Sequence, residues 1–575
     1  MHYDIIIQNG SVADGRGGEP FQADVAILDG KIASVGRIDG TADEIIDASG
    51  KLVTPGFVDI HTHYDAQATW AERLTPSSAH GVTTAVMGNC GVGFAPCRPD
   101  DHDNLIRLME GVEDIPGVVM AEGIPWKWES FPEFLDFLGA RQYDMDIGAY
   151  IPHAPLRVYT MGQRGLNREP ANADDLAKMS GIVSEAMEAG AMGFSTSRSL
   201  NHRSSDQNLM PGISASESEL MAIAGGIRNS KKGLLQFITE FTEAETDFAM
   251  LRRVTEKSGV PMTFSLSQRP NTPNLWQKIL DLAKAANDEG VEIMPQVYCR
   301  PIGLLLGHKL HYNFFSFSPS YVAIKDLPAD ERLEKMRDPA IRRRIIDEFP
   351  ADAADSVINR SLVDLANIYL MKDGFDYSPK PEDSLSALSE QRGIPLAELA
   401  YDLLIEKGGE NVFYSPALNF ADKNLKAVEA MLKHPNTLFG LGDGGAHVGI
   451  ICDASGQTFM LQHWANEKTE GHIPIGQIIK TLSHDNARAM HLHDRGVIAT
   501  GYRADINVID LDALKLHRPE MRYDLPLGSG RLVQRADGYA ATLVAGEITY
   551  RNGEPTGRLP GRLVRGAQDA PAPSA

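Results

Sequence analysis

Cysteine is scarce, with four residues (Cys90, Cys97, Cys299 and Cys452) in 575. So few thiols in so long a chain exclude a disulfide framework and fit a reducing compartment. Long apolar runs are missing as well. No stretch of about 18 apolar residues exists, which argues against a membrane-crossing helix. Positive charge is in deficit: 55 Lys and Arg face 77 Asp and Glu, for a formal net charge of −22. Nucleic acid and anionic lipid both reward positive surface, so neither is expected as a partner. No glycine-rich phosphate loop supports phosphate-dependent chemistry. Residues 1–10 carry neither the basic nor the apolar region of a secretory signal. The expectation from these absences is a cytoplasmic globular protein.

What is present is enough for a large core, since 43% of residues are apolar and 23% charged. The chain opens on β-rich runs at 3–7, 23–28 and 31–35, with Asp29-Gly30 as a two-residue turn between the last two. Similar runs return at 504–509, 541–544 and 546–550, followed by Asn552-Gly553. Two β-rich ends around a long middle predict one small β domain, a sandwich, made of 1–55 and 495–566.

The middle alternates strand-like with helix-like runs, the pattern of βα units with a parallel sheet. Candidate strands lie at 57–60, 82–87, 191–195, 234–239, 261–266, 291–297 and 437–441. Leu176, Met179, Ile182, Val183 and Ala186 share one helical face, as do Ile279, Leu282, Ala283 and Ala286. Ser216-x-x-Glu219 has the form of a capping box. The segment 301–383 breaks the rhythm and reads equally as a lid or a structural insert. The tail 567–575 is expected to be disordered.

The chemistry begins at Asp59-Ile60-His61-Thr62-His63, directly after an apolar strand. In extended backbone residues i and i+2 face one side, so two imidazoles can reach one cation. Active sites of parallel barrels lie at the C-terminal ends of strands, where this pair falls.

The run Pro55 to His63 resembles the opening metal motif of the amidohydrolase superfamily. Ser77 to Thr84, leading into Met87 to Pro96, is similar to the N-acyl-D-amino-acid deacylases, or D-aminoacylases. Gly193 to Ser197 and Gly553 to Arg562 agree with it. The resemblance covers nearly the whole chain and is weakest between about 300 and 430. It implies a (β/α)8 TIM-type barrel over 56–494, with zinc as cofactor and a small-molecule substrate. It makes His61, His63, Cys90 and Asp443 metal ligands, with Asp443 moving protons as general base and acid. His153, His202, Arg203, Tyr298, Arg300 and His447 are candidates to line the substrate pocket. His484, Gly496, Gly501 and Asp505 belong to the return from the barrel to the β domain. A homo-oligomer is expected from the frequency of symmetric assemblies.

Two departures matter. The family supplies a histidine after the fifth strand and another after the sixth, yet 235–241 and 262–268 contain none. Three readings stand. One zinc sits on His61, His63 and Asp443, completed by Cys90 or water; this is the reading favoured here, with one ion rather than two. Glu240 replaces a histidine in the second. In the third the metal site is degenerate and the barrel is not catalytic. The expected activity is hydrolysis of a carbon–nitrogen amide bond in an N-acyl (D-)amino acid or similar compound. Another amide, a lactam or a cyclic imide are the alternatives.

Overall fold

The computed structural model describes every residue except 229–231, 350–356, 373–375 and 573–575. The chain starts with five strands: β1 (His2–Val12), β2 (Phe21–Leu28), β3 (Lys31–Gly36), β4 (Thr41–Asp47) and β5 (Leu52–Pro55). The β2–β3 turn is Asp29-Gly30 with φ of 51° and 72°. Both central residues are left-handed, as a type I′ turn requires.

Parallel strands follow. They are β6 (Phe57–Asp59), β7 (Val82–Met87), β8 (Asp146–Ala149), β9 (Ile151–Pro152), β10 (Gly193–Ser197), β11 (Leu234–Ile238), β12 (Met262–Ser265) and β13 (Ile293–Val297). An excursion then carries β14 (Ile302–Gly307), β15 (Tyr369–Leu370) and β16 (Val412–Leu418) before β17 (Leu438–Phe439) rejoins the parallel set. β6, β7 and β8 form one parallel sheet, and β9 to β13 with β17 form another. Only Tyr150 separates β8 from β9, so the two run as one line. At the other edge the Asp443 N–H donates to His61 O (3.1 Å) and the His63 N–H to Gly444 O (2.7 Å). Those two bonds tie the segment after β17 to the segment after β6.

The excursion runs to Leu418, well past the expected limit at 383. Its three strands pair antiparallel and share a separate core that includes Leu306, Phe314, Phe315, Ile345, Tyr401 and Phe413. Leu305 N–H donates to Ile450 O (2.8 Å), fastening this unit to the loop that follows Asp443. Residues 350–356 and 373–375 of the expected insert lie outside the described residues.

β18 (Ile506–Ile509) pairs antiparallel with β5 and with Tyr539–Val544. Glu547–Arg551 and Glu554–Pro555 complete a nine-stranded sheet built from both chain ends. Its buried side chains, among them Ile7, Val25, Ile27, Val508 and Leu543, form one cluster.

The expected helical faces fall on helices Ala173–Ala189 and Leu275–Asp288. Ser216 Oγ accepts from Glu219 N–H (3.3 Å), but the Glu219 carboxylate turns inward to His153 and Arg157. The tail is tied down at Gln568, whose N–H donates to His491 O (2.9 Å) and whose carbonyl accepts from His493 N–H (2.9 Å). This corrects the expectation of disorder from 567 onward; residues 573–575 lie outside the described residues. Among the described residues no helix is long and apolar enough to cross a membrane.

Candidate metal centre

Three strand ends meet at one point. His61 and His63 follow β6, Cys90 follows β7 and Asp443 follows β17. One ligand atom each from His61, His63 and Cys90 lies within 4.8 Å of the others, all three residues being buried. Cys90 Sγ is 3.5 Å from His61 Nε2 and 3.8 Å from His63 Nε2. Asp443 Oδ1 is 3.4 Å and 3.6 Å from the same two nitrogens.

Local backbone explains how the side chains get there. Cys90 has φ 57° and Asp443 φ 45°, conformations that cost non-glycine residues of order 1–3 kcal/mol and gather at functional sites. Gly88 and Gly91 flank Cys90 with φ of 84° and 71°. A Cβ on Gly88 would lie 2.5 Å from Tyr150 O, and one on Gly91 2.9 Å from Thr196 Cα. The turn can therefore carry Cys90 into the cluster only with glycine on both sides. Gln236 Oε1, on β11, accepts from Cys90 N–H (3.2 Å) and braces it.

The electrostatics are those of a buried, crowded cluster. Burial pulls the His61 imidazole down to about 4, against the pull of Asp443. Burial opposes charge on His63 too, yet the carboxylates of Glu113 and Asp443 outweigh it and lift His63 to about 9. Burial raises the Asp443 carboxyl, but the hydrogen bond from His63 and the charges of His61, His63 and His447 hold it well below the usual range. The Cys90 thiol is pushed well above its ordinary value by burial and then by Glu113 and Asp443.

These donors fit a zinc ion. Two imidazole nitrogens, a sulfur and a carboxylate oxygen are its common ligand types. His61 Nδ1 meets Gln296 Oε1 at 2.7 Å; if that nitrogen donates, Nε2 carries the lone pair that faces the cluster. The thiolate, which is the ligating form of Cys90, is sustained in so acidic a pocket only by a cation.

Among the other expected residues, His202 and His447 lie beside the cluster. Burial lowers both, to about 3 and about 4. The charge of His447 and His63 lowers His202 further, while Asp443 opposes the drop at His447. His202 Nδ1 meets Ser197 Oγ at 2.9 Å, and among the described residues the buried His447 Nδ1 has no hydrogen-bond partner. Arg203 donates to Gln207 O (3.0 Å) within its own loop.

The structure does not bring His153, Tyr298 or Arg300 to the cluster. His153 is held by Thr196 Oγ1 (2.7 Å) and Glu219 Oε1 (2.8 Å). Arg300 is fully buried, stacks on Tyr377, and bonds Asp453 Oδ1 (3.1 Å) and Cys452 O (2.9 Å). Tyr298 donates to Asp453 O. Glu240 accepts from Ser199 Oγ (2.5 Å) and Asn201 Nδ2 (2.7 Å) and does not belong to the group formed by His61, His63 and Cys90.

Three residues escaped the sequence reading. Gln296, on β13, is one, and only long-range packing reveals it. Glu113, the last residue of helix His102–Glu113, is another. Its carboxylate lies 3.4 Å from His63 Nδ1 and 3.6 Å from His447 Nε2, and burial raises it to about 7. The third, Arg269, is singled out by its place alone, four residues past β12. Its guanidinium is half-buried, donates to Thr239 O (3.4 Å), and has no ion-pair partner among the described residues.

Residues 44–550 match the model of the amidohydrolase family. An uncharacterised protein of Mycobacterium tuberculosis is 25% identical over 582 residues, covering 96% of this chain and 92% of its own. The D-aminoacylase of Alcaligenes xylosoxydans xylosoxydans is 31% identical over 195 residues, 34% of this chain and 37% of its own. Among solved structures, a D-aminoacylase whose binuclear metal centre shows one-metal activation and second-metal attenuation superposes with a TM-score of 0.65. That match is 21% identical and covers 98% of this chain and 100% of the other, a likeness of fold.

Proposed function

This chain belongs to the amidohydrolase family, and we propose that it hydrolyses the amide bond of a small N-acyl compound, an N-acyl-D-amino acid in the first instance. One zinc ion is held by His61, His63, Cys90 and Asp443. The carrying observation is the convergence of His61, His63 and Cys90 within 4.8 Å, with Asp443 Oδ1 within 3.6 Å of both imidazoles. The scaffold is read as a (β/α)8 barrel closed between β17 and β6, with the nine-stranded sheet packed as a second, sandwich-like unit.

Bound zinc supplies Lewis-acid polarisation of the amide carbonyl and a water acidic enough to ionise near neutrality. Asp443 stays ionised at neutral pH, so it is ready to take a proton and then pass it to the departing nitrogen. His202 and His447 are held neutral by burial, and a neutral imidazole can hydrogen-bond an amide without adding charge.

The one-metal reading agrees with the two missing histidines, and one-metal activation is the behaviour of the D-aminoacylase noted above. A cyclic amide as substrate keeps the same groups. The observation in its favour is a likeness to the dihydroorotase of Lactobacillus helveticus, 43% identical over 106 residues, 18% of this chain and 24% of its own. The test is turnover of N-acyl-D- and N-acyl-L-amino acids, and of dihydropyrimidine-type rings, by zinc-loaded enzyme. Faster hydrolysis of the D-series supports the reading; turnover of the rings alone replaces it with the cyclic-amide one.

A further inference from the structure

Glu113 occupies a place that suits a carboxylate poorly. It ends the helix His102–Glu113, where the negative end of the helix dipole disfavours more negative charge. It is also 1% exposed, and a buried ionised carboxylate is costly unless paired and hydrogen-bonded. Something in the site must compensate. The charge of His63, whose Nδ1 lies 3.4 Å from Oε1, and a hydrogen bond with Cys90 favour the carboxylate, and the neutral His447 ring faces it with Nε2 3.6 Å from Oε2. Among the described residues His63 Nδ1 and Glu113 Oε1 each lack a hydrogen-bond partner, so two orphaned buried atoms face each other 3.4 Å apart. The backbone joins in, since Glu113 O accepts from His447 N–H (2.5 Å).

We propose that Glu113 is a positioning residue that aims His63 at the cation and, through the same carboxylate, fixes His447 at the substrate side. The proposal rests on the metal-hydrolase reading above. By taking the Nδ1–H of His63, Glu113 leaves the Nε2 lone pair turned to Cys90 and Asp443. Carboxylate partners of this kind orient a ligand imidazole and raise its basicity. Their weight is greater here, because β11 and β12 end without histidine and the remaining ligands hold the ion alone. His447, at φ 49°, is a strained residue kept in place by both its backbone and side-chain links to Glu113.

A purely structural Glu113 would set the stability of the helix end and leave the cation untouched. Zinc affinity, measured by chelator competition on wild type, Glu113→Gln and Glu113→Ala, separates the two. The visible bands of the cobalt-substituted proteins add a readout of ligand geometry, with Glu240→Ala as a control away from the donors. The expected result is zinc binding about 10-fold weaker in Glu113→Gln and about 100-fold weaker in Glu113→Ala. The cobalt bands should shift in both and stay put in Glu240→Ala. Should Glu113→Ala fail to fold, Glu113→Gln decides, being nearly the same size. Affinity within twofold of wild type with unmoved bands overturns the proposal while leaving the hydrolase reading intact. A wild type that binds no zinc overturns that reading, and this proposal with it.

Discussion

The parallel strands fall into two arcs with opposite characters. β6, β7 and β17 end in His61, His63, Cys90 and Asp443, whereas β11 and β12 end in Thr239-Glu240 and in Leu266-Ser267-Gln268. The first arc gathers cation donors; the second supplies braces. Gln236 holds the Cys90 backbone, and Glu240 holds Ser199 and Asn201. The difference teaches that cation-donor side chains can converge from one side of the parallel strands alone, while the other side supplies supports. On the one-zinc proposal, such a one-sided centre depends on whatever locks its few ligands.

The comparison breaks most visibly at Asp443. Asp443→Asn keeps the shape but removes the proton acceptor, and kcat should fall by about 10²–10⁴-fold. Steady-state kinetics on the zinc-loaded variant check this, and a loss below tenfold would move the general base elsewhere.

A smaller effect is expected at Glu219, which the structure places in a buried network with His153 and Arg157. Burial raises this carboxyl, but the hydrogen bond and charge of His153 and the charge of Arg157 outweigh burial and hold it at about 2, below its usual 4.5. Its folded value lies under its unfolded one. The stability it contributes is therefore present above about 4.5 and is lost as pH falls toward 2. The amount is on the order of 3 kcal/mol. Denaturant unfolding of wild type and Glu219→Gln should show a flatter acid limb in the variant, with KM at neutral pH unchanged. An altered KM with the same acid limb would restore His153 and its partners to the substrate pocket.

The smallest effect sharpens the comparison instead. Glu240→Ala should leave zinc content unchanged and affinity within about twofold, because its oxygen is engaged by Ser199 and Asn201. Loss of zinc in this variant would place Glu240 among the ligands and bring the second arc back into the centre.

Much of this was legible in the chain itself. Apolar runs such as Val82–Met87 and Leu234–Ile238 announce strands because both faces of a parallel sheet are buried. His61 and His63 stand out because alternation in a strand is local. The third strand was harder. Asp146-Ile147-Gly148-Ala149 breaks its apolar run with an aspartate, whose partners Arg495 and Arg503 lie some 350 residues away. Glu113 sits in a charged run, Glu110-Gly-Val-Glu113-Asp114, that reads as a solvated helix end. Its burial is decided by the loop carrying His447, which no local pattern encodes. His153 and Arg300 mislead for the same reason: a polar residue past a strand looks alike in sequence whether it meets substrate or a buried counter-charge.

The account stands on the cation. The direct measurement is metal content per chain by elemental analysis, on wild type and on His61→Ala/His63→Ala. About one zinc in wild type and none in the double variant, with hydrolysis lost alongside it, is the predicted result. No metal in wild type, together with no activity after zinc is supplied, would contradict it and leave a protein that binds rather than hydrolyses.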